Sequence, residues 1–325
     1  MSASSLSLIP PGPGGVRDYA ALLGPALGAP LFELAADTPV AGLSGPLLCV
    51  HFSGYGYQKR GLPTWLLHTL REMKPRFGKL GIVFHELFAV GPPWGSAFWL
   101  SGMQRRLARD LLGLADFWLT SRESSARWLL DTRIQPAPHR VLPVFSNVGE
   151  PASIDSPRED RIVVFGSQGV RANVYEWNDG EVFRHASRQG LQLHDIGPSF
   201  APGSALAKRL AEQGAVAHGK LDSAEVSALL SSAKFGAATY PIDAVAKSSV
   251  FAAYCAHGLC PILLSRDYGA HDGLVRDRHY ASGFDAAARG SLDPLQIGRE
   301  ARAWYEPHGI SMHQAAIRAL AEEAR

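Results

Sequence analysis

Three groups of residues in this 325-residue chain have the types and spacing to do chemistry. The first is Lys247, Ser248 and Ser249, where the loop Pro241–Ser249 runs into the apolar segment Ser249–His257. An ammonium, two hydroxyls and the N–H groups of a first helical turn suit phosphate oxygens. A plain N-cap beside a solvated lysine has the same sequence. Asp243, in the same loop, breaks the preceding strand together with Pro241. The second group is His85-Glu86, closing the apolar run Leu80–Phe84. A histidine there can donate to a developing oxyanion or a sugar hydroxyl, and the carboxylate can accept. A satisfied structural histidine is the plainer alternative. The zinc-protease pattern H-E-x-x-H is excluded, because Ala89 stands where its second histidine belongs. The third group is two glycine turns, Gly14-Gly15 after Leu6–Ile9 and Gly166 after Arg161–Phe165. Glycine lets a backbone come close to a ligand. Arg171 follows the second turn and is expected to point toward the Lys247 loop, since two cations near one helix terminus fit a diphosphate better than one. The dinucleotide fingerprint G-x-G-x-x-G fails at Arg17, which argues against a nicotinamide cofactor.

These residues need a scaffold of strands and helices, and the hydrophobic pattern supplies one. Phe235–Tyr240 and Leu259–Leu264 are short apolar strands around the helix Ser249–His257, which makes a βαβ unit of a parallel sheet. Ligands of such sheets sit beyond the carboxyl ends of the strands. In the first half, strands are expected at Leu6–Ile9, Leu47–Phe52, Leu80–Phe84, Asp116–Leu119 and Arg140–Val144. Helices are expected between them, the first with Val16, Tyr19, Leu23 and Leu27 on one face. Later ones span Leu62–Lys74, Ala97–Leu114 and Ser121–Leu130. Ser146–Asp160 is polar and rich in Pro and Ser, a domain boundary by composition. The strand–glycine–helix pattern then starts again. Strands follow at Leu191–Ile196 and Ala215–His218, with helices at Ala205–Glu212 and Asp222–Ala233, the latter opened by Asp222 and Glu225 as a capping box. Leu295–Tyr305 and Ser311–Ala324 close the chain as helices. The fold class expected is α/β, with two Rossmann-like domains whose parallel sheets face a cleft. The domains expected are residues 1–150 and 151–305, followed by a final helix over 306–325.

Bulk properties narrow the partners. A formal net charge of +2 gives no case for nucleic acid. The three cysteines, Cys49, Cys255 and Cys260, lie in apolar contexts without metal spacing, which predicts buried thiols in a reducing, cytoplasmic setting and no metal site. The amino terminus has no basic region ahead of its short apolar run, so no signal peptide is expected. No apolar stretch reaches the ~20 residues of a spanning helix. The helix Leu62–Lys74 carries His68, Arg71 and Lys74 outward, and with Lys59, Arg60, Arg76, Lys79 and Trp65 forms a basic surface. It could meet anionic headgroups or a phosphorylated acceptor; a solvated helix face is the simpler reading. Gly91–Trp99 has the length and aromatic content of a flap over an acceptor, and Arg105, Arg106 and Arg109 point outward from the helix that follows.

With these elements in place, the chain resembles glycosyltransferases of the two-domain GT-B type, close to the family 4 group that uses nucleotide sugars. The resemblance is carried by PPGPGGVRDYAALL near the start, by GIVFHEL, and by VAHGKLDSAEVSALLSSAKFGAATYP leading into SVFAAYCAHGLCPILLS. Their order and spacing cover nearly the whole chain. The resemblance implies an acceptor-binding first domain, a nucleotide-sugar-binding second domain and a last helix that crosses back to the first. It implies a donor held without metal, no further cofactor, and retention at the anomeric carbon. Gly14 and Gly15 then match the family's turn near the donor phosphates. His85 matches the histidine that contacts the transferred sugar, Arg171 the basic residue below the diphosphate, and Ser248 and Ser249 the helix start that receives the phosphates.

The departure from the family is specific. Its paired glutamates, which touch donor hydroxyls and the nucleotide ribose, correspond to Val245 and Ala253. Lys247-Ser248-Ser249 stands where the family carries Phe-Gly-Leu. The leading expectation is a glycosyltransferase acting on a carbohydrate or lipid-linked acceptor, cytoplasmic and peripheral to the inner face of a membrane. The alternative is a degenerate GT-B protein that binds nucleotide or glycan without catalysis and partners an active enzyme.

Overall fold

The computed structural model describes residues 4–89, 94, 96–132, 137–288, 290 and 292–324. The chain forms two compact units, residues 1–143 with 310–325, and residues 144–309.

Unit 1 opens with β1 (Leu6–Ile9), α1 (Gly15–Leu27), β2 (Leu31–Glu33) and β3 (Gly45–Ser53). The short α2 (Gly54–Tyr57) and then α3 (Thr64–Met73), β4 (Phe77–Glu86) and α4 (Ser96–Leu114) follow. It continues through β5 (Phe117–Thr120), α5 (Glu123–Thr132) and β6 (His139–Val141). The strands make one parallel sheet in the order β2-β1-β3-β4-β5-β6. Alternation along β3 and β4 sends Leu48, Val50, Phe52, Leu80, Ile82 and Phe84 into one core, shared with Leu66 and Leu70 of α3 and Leu107 and Leu111 of α4. Gly81 leaves room on β4 for the Phe117 ring, which a Cβ at that position would meet at 2.2 Å.

Unit 2 begins with β7 (Glu159–Phe165), α6 (Gln168–Glu176), α7 (Glu181–Gln189), β8 (Gln192–Ile196) and α8 (Ala205–Glu212). Next come β9 (Val216–Gly219), α9 (Ser223–Ser232), β10 (Ala233–Thr239), α10 (Ser249–Ala256) and β11 (Cys260–Leu264). It ends with β12 (Ala281–Ser282), α11 (Phe284–Ala287) and α12 (Pro294–Tyr305). Its parallel sheet has the order β12-β11-β10-β7-β8-β9. The capping box of Asp222 and Glu225 is formed at the start of α9. The last helix, α13 (Ile310–Glu323), belongs to unit 1, where it packs against α1, β4 and β5.

The fold class is therefore the α/β class expected, with two parallel sheets of six strands among the described residues. The composition-based boundary and the division of the units differ by several residues. The polar stretch after Ser146 is tied into unit 2 by hydrogen bonds that composition does not reveal. Val144 N–H donates to Ala246 O at 2.9 Å, and Ser146 N–H donates to the Tyr305 hydroxyl at 2.8 Å. Arg158 caps the carbonyls of Leu230, Ser231, Ala233 and His257. Two strands, β2 and β12, went unread because each is only two or three residues long.

Candidate functional site

In unit 2 the chemistry gathers at the carboxyl ends of β7 and β10. Gly166, with φ +133°, turns the chain out of β7, and its N–H donates to Ile196 O at 3.1 Å. A Cβ on Gly166 would stand 3.3 Å from both Val170 Cγ1 and Val250 Cγ2, so this turn lies against the first turn of α10. The loop before α10 is a 3₁₀ helix, Ile242–Lys247, rather than open chain. It buries Ile242, Val245 and Ala246, leaves Asp243 exposed and Lys247 half-buried. Ser248 is the N-cap of α10: its hydroxyl accepts from Phe251 N–H at 3.2 Å and its own N–H donates to Val245 O at 2.8 Å. The half-buried Ser249 and Val250 supply the next N–H groups of that turn. Thr239 ends β10 with a hydroxyl that is buried and has no hydrogen-bond partner. Such a group in a native structure calls for a ligand or a water. Val245 and Ala253 are packed in the apolar interior.

Arg171 corrects the reading from sequence. Its side chain is fully buried and points inward, paired with both oxygens of Asp195. Its Nε donates to Gly166 O at 3.0 Å, Nη2 donates to Pro198 O, and the guanidinium lies 4.6 Å from the Phe200 ring centre. The Tyr175 hydroxyl also donates to Asp195, at 2.5 Å, and burial raises its pKa. The reason is helical phase. Arg171, Val174 and Tyr175 share the buried face of α6 at spacings of three and four. Arg171 thus clips the turn after β7 to the turn after β8 from inside.

In unit 1, His85 occupies a break in the ladder. Phe52 pairs with Phe84, and Ser53 pairs with Glu86, so His85 is an extra, bulged residue on β4. A bulge re-aims its side chain, and His85 is half-buried at the carboxyl end of the sheet. Glu86 is exposed and accepts from the Ser53 hydroxyl at 3.0 Å. Gly14 is the N-cap of α1 with φ +153°, its carbonyl accepting from Asp18 N–H at 3.0 Å; Gly15 is the first helical residue. A Cβ on either would meet nothing within 4 Å, so no protein neighbour requires glycine there. Tyr19 of the same helix sets its ring edge-on to His85, centroids 4.8 Å apart.

The basic surface read around Trp65 is partly neutralised. Trp65 packs against the core, Lys74 donates to Asp116 and Leu114 O, and Arg76 donates to Val40 O and Glu72. Three exposed apolar side chains, Phe98, Trp99 and Met103, lie close together at the start of α4 and precede the exposed Arg105, Arg106 and Arg109. Of the flap Gly91–Trp99, residues 91–93 and 95 lie outside the described residues. No group of three or more metal-ligating side chains occurs among the described residues, and no helix there is long and apolar enough to cross a membrane.

Sequence reasoning passed over His51, His313 and the pairing of Arg171 with Asp195. His51 was hidden within an apolar strand run and His313 in an unremarkable final helix.

No protein-family model matches the chain, and no curated protein matches it in sequence. Solved structures do. An alpha-glucosyltransferase bound to UDP and a 13-mer DNA containing an HMU base superposes with TM-score 0.57 at 12% identity, covering 99% of this chain and 100% of that one. WaaG, a glycosyltransferase of lipopolysaccharide biosynthesis, gives 0.53 at 13%, covering 99% of each chain. TarM of S. aureus, solved with UDP, fondaparinux and alpha-GlcNAc-glycerol, gives 0.58 at 11%, covering 85% of this chain. The chain spans only 55% of the TarM structure and 57% of the chain in a GtfA/B complex. At these identities what is shared is the fold: the two parallel-sheet units of this chain are arranged along the sequence as in solved glycosyltransferases.

Proposed function

We propose that the protein moves a sugar from a nucleoside-diphosphate sugar to a carbohydrate or lipid-linked acceptor. The observation that carries this reading is the juxtaposition in unit 2 of the Gly166 turn with the first turn of α10, beside Lys247 and the unsatisfied Thr239 hydroxyl. Amide dipoles, one ammonium and a backbone free to approach make a receptor for a diphosphate without a bound metal. The neighbours solved with UDP support the same class of ligand.

In this reading Lys247 and the α10 amides stabilise the diphosphate as the bond from its oxygen to the anomeric carbon breaks. The acceptor hydroxyl forms its bond on the same face and its proton passes to the departing phosphate oxygen, which gives retention. His85 orients the transferred sugar, Glu86 accepts from a hydroxyl, Asp243 takes a donor hydroxyl contact, and Gly14-Gly15 leave open space for the donor. With Val245 and Ala253 apolar, Lys247 favours a diphosphate or an acidic sugar over a neutral one. The exposed Phe98, Trp99 and Met103, followed by arginines, support peripheral contact with an anionic membrane on the cytoplasmic side. Vesicles of anionic lipid that fail to retain the protein at low salt would remove that part.

A second reading has its own observation. The two positions that carry carboxylates in the resembled family are buried and apolar here, so the site could bind nucleotide without turning it over. Calorimetry with UDP, GDP and ADP, with and without EDTA, followed by release assays on the matching sugar donors, separates the readings. Metal-independent binding with turnover supports transfer. Binding without turnover on any donor and acceptor supports the binding protein, and no binding at all sinks both.

A further inference from the structure

His51 is a fully buried side chain that the proposed chemistry leaves unused. It sits on β3 between Val50 and Phe52, where any aliphatic residue would fill the sheet at lower cost than an imidazole. Its Nδ1 lies 3.3 Å from His85 Nε2, within hydrogen-bond reach across the β3–β4 pair. The two ring planes lie 26° apart with centroids 5.5 Å apart, so the rings meet edge to edge, as an in-plane hydrogen bond requires. Its other nitrogen, Nε2, is 3.9 Å from Cys49 Sγ, a weak partner whose thiol burial keeps protonated. Burial pushes the pKa of His51 down to about 3, so it stays neutral at ordinary pH. Against the His85 ring stands a second wall, Tyr19, nearly perpendicular at 85°. Tyr19 is itself locked. His313 Nε2–H donates to Pro143 O at 2.9 Å, which leaves His313 Nδ1 to accept from the Tyr19 hydroxyl at 2.6 Å.

We propose that His51 is a positioning residue for His85: its hydrogen bond selects one tautomer of the His85 ring, and Tyr19, held by His313 of the last helix, closes the second side. The inference rests on the reading of His85 as the group that orients the transferred sugar. The bulge shifts the β3–β4 register at His85, and the direction of its ring is set by the side chains packed around it. One ring hydrogen-bonded edge to edge and one nearly perpendicular ring restrict both side-chain torsions. The Nδ1···Nε2 contact then couples the tautomers. If His51 carries its proton on Nδ1, His85 Nε2 accepts and His85 is protonated on Nδ1; if His51 carries it on Nε2, so does His85. A fixed tautomer decides whether the outward nitrogen of His85 donates or accepts, which is what orienting a hydroxyl demands.

The test is histidine-selective ¹⁵N spectroscopy of the full chain at pH 7.5, run beside turnover of UDP-sugars. We expect His85 to show a single tautomer, matching that of His51. His51→Leu should give a mixture at His85 and lower kcat at least tenfold, with the donor KM within twofold. His51→Asn, whose amide sits near the Nδ1 position, should restore the single tautomer and most of kcat. His51→Gln, which places its amide near Nε2 instead, should resemble His51→Leu and carries the test if the leucine variant does not fold. An unchanged His85 spectrum in the leucine or glutamine variant would overturn the inference, as would equal damage from asparagine and leucine. His85→Ala is measured in parallel. Full turnover in that variant would refute the role of His85 itself while leaving the spectroscopic result to judge His51.

Discussion

Lys247 and Ser248 are neighbours with different duties, and substitution should separate them. Lys247 is the half-buried last residue of a 3₁₀ turn, one residue before the N-cap of α10. We expect Lys247→Ala to weaken UDP binding about tenfold, the ~1.5 kcal/mol of one charge-assisted contact, measured by calorimetry, and the loss to shrink at high salt. Ser248 uses its hydroxyl as the cap of Phe251 N–H. Ser248→Ala should cost ~1 kcal/mol of stability, visible in urea unfolding, with little change in nucleotide affinity at matched folding. A large affinity loss with intact stability would mean that the hydroxyl touches the ligand. At this scale the sequence was legible where residue type and chain position agreed: the Ser248 cap and the Gly166 turn lie where residue type puts them. Arg171 was not, because its charge suggested a ligand while its helical phase, shared with Val174 and Tyr175, pointed it inward. Phase was present in the sequence and outweighs charge when a carboxylate such as Asp195 waits on the neighbouring strand.

Elements explain how the turns are held. Arg171 joins the turns after β7 and β8, with Asp195 as its counter-charge and Tyr175 as a second donor. Removing either charge alone strands the other in the interior. Arg171→Met and Asp195→Asn should each destabilise by ~3–5 kcal/mol, and Arg171→Met combined with Asp195→Leu should be less damaging than the sum of the singles. Chemical denaturation of all three variants checks this. Gly166→Ala acts on the same turn from outside. Its φ of +133° disfavours any L side chain, and the Cβ contacts at 3.3 Å press on Val170 and Val250. We expect it to reduce nucleotide affinity at least tenfold, because relief of that strain moves the turn away from α10.

Across the whole molecule, buried neutral histidines set the acid limit. Burial pushes the pKa of His51 to about 3, and those of His257 and His185 to about 4. In the unfolded chain these groups take up protons near pH 6.5, so between that value and about 4 the unfolded state binds more protons. Stability is therefore full above pH 6.5 and declines as pH falls through this window, by up to ~1.4 kcal/mol per pH unit for each histidine. Urea midpoints should drop from pH 7.5 to pH 5 in both units, since His51 lies in unit 1 and the other two in unit 2. The last helix sets a second limit. Ile317, Leu320 and His313 of α13 are buried in unit 1, so ending the chain at Gly309 should unfold unit 1 and leave unit 2 folded. Limited proteolysis of the truncated chain would report which unit survives.

What the amino-acid sequence alone determined is the alternation of strands and helices, the parallel α/β class and the location of the glycine turns and of His85 at a strand end. Those are local properties, set by hydrophobic period and by the residues that start and stop elements. Tertiary structure decided which polar side chains face outward. Arg171 turned inward because Asp195, twenty-four residues on, completes its charge. His85 acquired a hydrogen-bonded neighbour in His51 because β3 and β4 pair in register up to a one-residue bulge. Tyr19 met His313 only because a helix from the end of the chain packs beside the first. Each of these is a contact between residues distant in sequence, and no local pattern encodes its partner.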